Sequence, residues 1–285
     1  MSASNTTRAS NTSSASNTKR LAIGGLGAIG LAVARAVDEG RVPGFELVAV
    51  SARDQDKARA TLSGFRKPPA LTTLPGLADA ADVIVEGLPS ALFAEIAEPA
   101  LAKGRIFMPL SVGALLKHMH LVDLARSSGG RIVVPTGALL GLDAVRATAE
   151  GKIESVRMIT RKPPGGLKGA PLLVEKNISV DNLTEPLRIF EGSAREAIVG
   201  FPANVNVAVA LSLAGIGPDA TRIEIWADPG VTRNTHTIKV ISDSSDLTMT
   251  IENIPSLENP RTGKITALSV LAALRRMTSP LVVGS

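Results

Sequence analysis

The chain contains no cysteine. That removes disulfides, thiolate zinc sites and cysteine nucleophiles together, and with them acylating aldehyde dehydrogenases, which need a thiol to form their acyl-enzyme. Aromatic residues are scarce, at 2% with one Trp and no Tyr, so no base-stacking platform for nucleic acid is evident. Three histidines are too few for a convincing histidine metal cluster. Only His118 and His120 lie close together, and their i, i+2 spacing does not share a helix face. Both read as surface or packing residues, and no metal is expected. No run of about 18 apolar residues occurs, so no membrane span is expected. Acidic residues are absent from the first twenty positions, where Arg8, Lys19 and Arg20 supply three of the net charge of +5. The remaining +2 is too small to argue for a nucleic-acid partner.

What is present suggests about two domains: 285 residues, 45% of them apolar, give ample material for a core. Residues 1–19 stand apart. Ala-Ser-Asn-Thr recurs at 3–6, 9–12 and 15–18, and such small polar residues bury too little apolar surface to offset their ordering entropy. A disordered tail is expected over 1–19. It lacks the apolar stretch of a secretory signal, and the protein reads as cytoplasmic.

From residue 20 the chain alternates between short apolar strands and helices. The first strand, Leu21–Gly24, runs straight into Gly25-Leu26-Gly27-Ala28-Ile29-Gly30, and a helix opens behind it over Ala28–Glu39. In that context the three glycines have separate duties. Gly25 allows a tight turn, Gly27 lets the backbone approach a pyrophosphate, and Gly30 lets helix and strand pack closely. The spacing points to a dinucleotide site, against a merely structural turn. Further strands are expected at Glu46–Ser51, Asp82–Glu86, Arg105–Met108 and Arg131–Val134, with helices near Asp54–Ser63 and Ser90–Lys103. Fully apolar strands alternating with helices predict a doubly wound parallel α/β sheet over 20–136. An acid at the end of the second strand usually binds the adenosine ribose. Ser51 stands there instead, with Arg53 close behind, which leans towards NADP or dual use; Asp54 is either a ribose partner or the N-cap of the next helix.

After residue 137 the strands lengthen and partly alternate: Gly151–Arg161, Thr221–Ala227, Asn234–Ser242 and Leu247–Ile254. They predict an α+β substrate domain with a mostly antiparallel sheet over 137–263. Helices are expected near Leu142–Glu150 and Pro202–Leu213. A final helix, within 264–285, is expected to return to the first domain. Within this half, period two puts Asn234, His236, Ile238 and Val240 on one strand face. His236 is either a proton carrier, with an ordinary pKa near 6.5, or a satisfied core histidine. Asn204 and Asn206, after Phe201-Pro202, offer donor and acceptor together for a carboxamide, or serve as turn caps. Arg161 and Lys162, before Pro163-Pro164, are either receptors for an anionic substrate or an exposed basic loop. Ser111 and the Thr136–Ala138 loop follow parallel strands, where ligands collect.

Taken together, these stretches resemble the L-aspartate dehydrogenase family from about residue 20 to 277. The likeness is carried by Gly24–Gly30, Leu110–Leu115, Thr136–Ala144, Thr160–Pro164, Phe201–Pro218, Trp226–His236 and Asn259–Thr262. The resemblance implies NAD(P)-dependent oxidative deamination of L-aspartate, a Rossmann domain with a mixed second domain, and a homodimer, with dimer contacts assigned to 137–263. Iminoaspartate, the product, can also feed quinolinate synthesis in NAD biosynthesis. The family's catalytic histidine falls on His236, its cofactor-contacting asparagine on Asn206 and its small loop residue on Ala138. Ser111 is expected beside the nicotinamide, and Arg161, Lys162, Arg233 and Asn234 around the substrate. One departure is Leu140, bulkier than the small residue usual there, which is expected to reshape the nicotinamide edge. The rivals are an oxidoreductase for a related amino or hydroxy acid and a non-catalytic dinucleotide sensor.

Overall fold

A computed structural model describes residues 18–202, 205–256, 259 and 262–284. The repeat tail up to residue 17 and Asn204 lie outside them. Lys19 does not belong to a tail: it opens the first strand, and its N–H donates to the Gly44 carbonyl at 2.9 Å.

The first half alternates strictly. Strands β1 (Lys19–Gly24), β2 (Phe45–Ser51), β3 (Ala70–Leu71), β4 (Val83–Glu86), β5 (Ile106–Pro109) and β6 (Arg131–Ile132) form one parallel sheet in the order 3-2-1-4-5-6. Helices α1 (Ala28–Asp38), α2 (Gln55–Leu62), α3 (Leu77–Ala80), α4 (Phe93–Ala102), α5 (Val112–Leu115) and α6 (His120–Ser128) connect them. The order reverses between β1 and β4, so a crevice opens at their carboxyl ends. Both faces are covered. Leu21, Ile23, Val83 and Val85 pack under α1, while Ala22, Ile84 and Phe107 pack under α3, α4 and α6. That two-sided burial is why these strands read as unbroken apolar runs. The two residues of β3 carry no period by which a strand is recognised, and α6, which follows His118, is not among the expected helices. The His118 ring stacks on Phe93 at 5.6 Å, a packing role.

The second half holds α7 (Leu142–Ala149), β7 (Ile153–Lys162), α8 (Pro171–Glu175), β8 (Leu187–Ser193), α9 (Ala194–Gly200), α10 (Asn206–Ala214), β9 (Arg222–Ala227), β10 (Thr235–Ser242) and β11 (Asp246–Glu252). Its five strands run 11-10-7-9-8, antiparallel except for the parallel pair β7–β9. One face is packed under α7, α9 and α10. Period two sorts β7 cleanly: Val156, Met158, Thr160 and Lys162 point to that buried face, and Arg157, Ile159 and Arg161 to the other. Strand β8 was missed because its pairing slips between Arg188 and Phe190, which breaks its alternation. Helix α9 carried a readable signal, since Ser193 and Glu196 form a reciprocal capping box. Pro202 lies in a turn ahead of α10, which begins only at Asn206.

The last helix, α11 (Ile265–Thr278), returns to the first sheet. Val270, Leu271 and Leu274 bury among Val33, Val37 and Phe45, and Arg275 donates to the Arg41 carbonyl at 2.6 Å. It stops at Thr278 because Pro280 forces Ser279 into an extended conformation. Among the described residues no helix is long and apolar enough to cross a membrane.

Candidate active site

The glycine turn is built from backbone contacts. Gly25 has φ +97°, and a Cβ there would sit 2.6 Å from the Gly87 carbonyl oxygen, since the turns after β1 and β4 touch. A Cβ at Gly30 would lie 2.0 Å from the Gly25 carbonyl oxygen. A Cβ at Gly27 would meet no protein atom within 4 Å. Gly27 therefore leaves open the space into which a pyrophosphate would fit, at the N-terminus of α1. The two positions predict opposite failures. Gly30→Ala should destabilise the fold by about 1–3 kcal/mol, because backbone must move. Gly27→Ala should leave the melting temperature unchanged yet weaken dinucleotide binding at least ~10-fold, because its methyl fills ligand space. Thermal melts and NADPH fluorescence titrations of both variants check this.

Two adjoining cavities run from this turn. The outer groove is lined by Gly25, Leu26, Gly27, Ala28, Ser51 and Arg53, together with Arg35, Arg41 and Lys57. Asp54 accepts a hydrogen bond from the Lys57 N–H at 2.9 Å, so its carboxylate caps α2. Glu39 pairs with Arg41. The inner cavity, about 160 Å³, holds Ile29, Ala138, Asn206, Lys162, Asn234 and His236. Asn206 Oδ1 accepts from the Gly113 N–H at 2.9 Å, which ties α10 to α5 and leaves the amide nitrogen for a ligand.

His236 and Lys162 share this inner cavity on neighbouring strands. His236 stands opposite Thr160, whose hydroxyl is 3.0 Å from Nδ1, so Nε2 is the ring nitrogen left for a ligand. His236 is 3% exposed and Lys162 5%. Burial, and then the Lys162 charge, push the histidine down to about 3, so the ring is neutral throughout the physiological range. Burial pushes Lys162 down to about 8, so it is mostly charged at neutral pH. The site thus pairs an uncharged base with a cation.

Several expected residues lie elsewhere. Gly30 lines neither cavity; it serves helix packing. Ser111 lines neither as well. Its Oγ donates to Glu86 at 3.0 Å and to the Leu88 carbonyl at 2.9 Å, and its N–H donates to Glu86 at 3.0 Å. Glu86, wholly buried, also accepts from the Leu88 and Leu110 N–H groups, and so locks the turns after β4 and β5 together. Burial raises its pKa while these hydrogen bonds oppose the rise. Arg161 faces away from Lys162: it pairs with Asp228 at 2.8 Å and lies over Trp226 on the opposite sheet face. Arg233 lies 3.9 Å from Glu252 and is 42% exposed, outside both cavities. Leu140 also stands outside the inner lining. Conversely, Asn253, Gly263 and Thr266 line the cavity and were not among the expected site residues, and Thr262 was quoted only for the family likeness; they come from the end of β11, the loop after it and the first turn of α11.

Comparisons with known proteins identify the family of this chain. The family described as "Homoserine dehydrogenase, NAD binding domain" matches residues 25–135, and "Aspartate dehydrogenase, C-terminal" matches 143–277. The chain is 57% identical to the L-aspartate dehydrogenase of Bradyrhizobium diazoefficiens, covering 93% of this chain and 94% of that one. It is equally 57% identical to L-aspartate dehydrogenase 3 of Bordetella bronchiseptica, covering 93% and 97%. The fold matches the crystal structure of aspartate dehydrogenase from Thermotoga maritima with a TM-score of 0.72 at 23% identity, over 93% and 99% of the two chains. With family matches over both halves of the chain and near full-length identity above one half, the chain belongs to the L-aspartate dehydrogenase family.

Proposed function

We propose that the protein catalyses the NAD(P)+-dependent oxidative deamination of L-aspartate, or its reverse. Aspartate and NAD(P)+ would give iminoaspartate, NAD(P)H and a proton; water then releases oxaloacetate and ammonia. The observation that carries this reading is the neutral His236 beside the buried Lys162 at the inner end of the dinucleotide groove. A nicotinamide held here supplies the hydride acceptor. The chain's own residues do the rest. Gly25–Gly30 carries the pyrophosphate, and Ala138 with the Asn206 amide holds the nicotinamide end. His236, oriented by Thr160, accepts the proton lost from the substrate nitrogen or from the attacking water. Lys162 neutralises a substrate carboxylate, with Asn234 beside it.

Ser51 at the end of β2, Asp54 committed to its cap, and the cations Arg35, Arg53 and Lys57 support NADP or dual use over strict NAD preference. The domain division proposed is 20–136 plus the C-terminal helix for the dinucleotide, and 137–263 for substrate and dimer contacts, in a cytoplasmic enzyme linked to NAD biosynthesis. The test follows reduced-nicotinamide absorbance in both directions, with L-aspartate and NAD+ or NADP+, and with oxaloacetate, ammonium and NADH or NADPH. Stereospecific, ammonium-dependent turnover is expected, with NADP(H) used at least as well as NAD(H). Dinucleotide binding without any such turnover would overturn the reading.

A further inference from the structure

Asn253 follows β11 and is 4% exposed. Its main chain is anchored, the N–H donating to the Asn234 carbonyl at 2.8 Å. Its side chain is anchored too, Nδ2 donating to the Ala138 carbonyl at 3.0 Å. A carbonyl oxygen only accepts, so this bond settles which end of the amide is nitrogen. Oδ1 must then be the end turned away, and it has no hydrogen-bond partner among the described residues. The space beside it is kept by a glycine: a Cβ at Gly263 would come within 2.9 Å of Oδ1. Both residues line the inner cavity with Lys162 and His236. A buried acceptor without a donor is costly, and a ligand that brings an N–H to it is correspondingly favoured.

We propose that Asn253 Oδ1 accepts a hydrogen bond from the substrate nitrogen and makes this site choose carbon–nitrogen over carbon–oxygen chemistry. The inference rests on the reading of the site as an amino-acid dehydrogenase. In the reductive direction two substrates of nearly equal shape compete. The imino acid carries N–H donors on the reacting centre. The keto acid presents only oxygen lone pairs, which face the lone pairs of Oδ1 and leave that acceptor unpaired. Hydride addition to the imine carbon, with protonation of nitrogen, gives the amino acid. The same hydride added to the ketone carbon, with a proton to oxygen, gives the hydroxy acid. Both consume one reduced nicotinamide. Sites that hydrogen-bond one group reject the analogue lacking it far better than apolar pockets distinguish shapes. Lys162, a donor, cannot make this distinction; an acceptor can.

The experiment uses the full chain and compares oxidation of NADPH by oxaloacetate with and without ammonium. Wild type should reduce oxaloacetate alone to the hydroxy acid at least about 100-fold more slowly than it aminates it. In Asn253→Ala and the shape-preserving Asn253→Leu, the ratio of the two activities should fall about 10- to 100-fold. The KM for ammonium should rise, and NADPH affinity should stay within about twofold. A ratio taken within one preparation cancels any loss of folded enzyme. An unchanged ratio in an active variant overturns the proposal. So does weakened NADPH binding at an unchanged ratio, which would seat the nicotinamide carboxamide on Oδ1. If neither variant folds, wild type decides: equal rates with and without ammonium overturn it. Failure of the underlying reading looks different, since wild type would then oxidise no NADPH with oxaloacetate, with or without ammonium.

Discussion

His236→Ala should lower turnover about 10²- to 10⁴-fold while leaving dinucleotide affinity within about twofold. The size follows from the role: a positioned base that takes a proton as the substrate is oxidised, lost without disturbing the outer groove. The ring is well placed for this. Thr160 holds Nδ1, and burial, helped by the neighbouring cation, keeps the imidazole unprotonated. A second consequence can be measured without substrate. The histidine's folded pKa, about 3, lies below its ordinary 6.5. Between those values the unfolded chain binds a proton that the folded chain refuses, so wild-type stability falls as pH drops from about 6.5 towards 3. The loss is on the order of a few kcal/mol, and His236→Ala should flatten that limb of the profile. Steady-state kinetics, NADPH titration and urea melts across pH give the three readouts. Unaltered turnover in the variant would end the assignment.

Lys162→Met should move activity and stability in opposite directions. Loss of Lys162, the one lysine or arginine among the described residues of the inner lining, should cut kcat/KM for aspartate on the order of 10²- to 10³-fold, because a substrate carboxylate is left buried without its partner. Stability should rise by about 1–3 kcal/mol at pH 7, since an apolar stem of similar length replaces a desolvated charge. The sign depends on pH. Below about 8 the lysine is charged in both states and only the folded state bears the burial cost. As pH rises from about 8 towards 10.5 the folded state sheds its proton first, wild type gains stability, and the advantage of methionine shrinks. Binding of succinate, an unreactive dicarboxylate, to the enzyme–NADP+ complex should weaken above about pH 8 in wild type and show no such break in the variant. Equal succinate affinity in both proteins would remove Lys162 from carboxylate recognition.

Much of this molecule was legible before folding was considered. Apolar runs with helices between them dictate a parallel sheet buried on both faces, and the glycine spacing marks its nucleotide turn, because such backbone needs are written locally. Period two likewise put His236 on the packed face of β10. Arg161 and Lys162 are adjacent on β7, so alternation keeps them from both facing a ligand, but ending the expected strand at Arg161 concealed this. Which of the two turns inward depended on the partner strands: Trp226 and Asp228 gather Arg161 on one face, and the sheet's covered side takes Lys162. Ser111 sat in the right loop, yet Glu86, twenty-five residues earlier in the chain, claims its hydroxyl and N–H. Asn253 had no local signal whatever. Its acceptor is fixed by Ala138, distant in sequence, and left room by Gly263. Local chain chemistry thus determined most of the elements, though not β3, α6 or β8, together with their succession and the nucleotide turn. Tertiary structure alone decided which polar groups are consumed by one another and which remain for a ligand, since hydrogen-bond satisfaction in a buried site is settled by neighbours that only folding brings together.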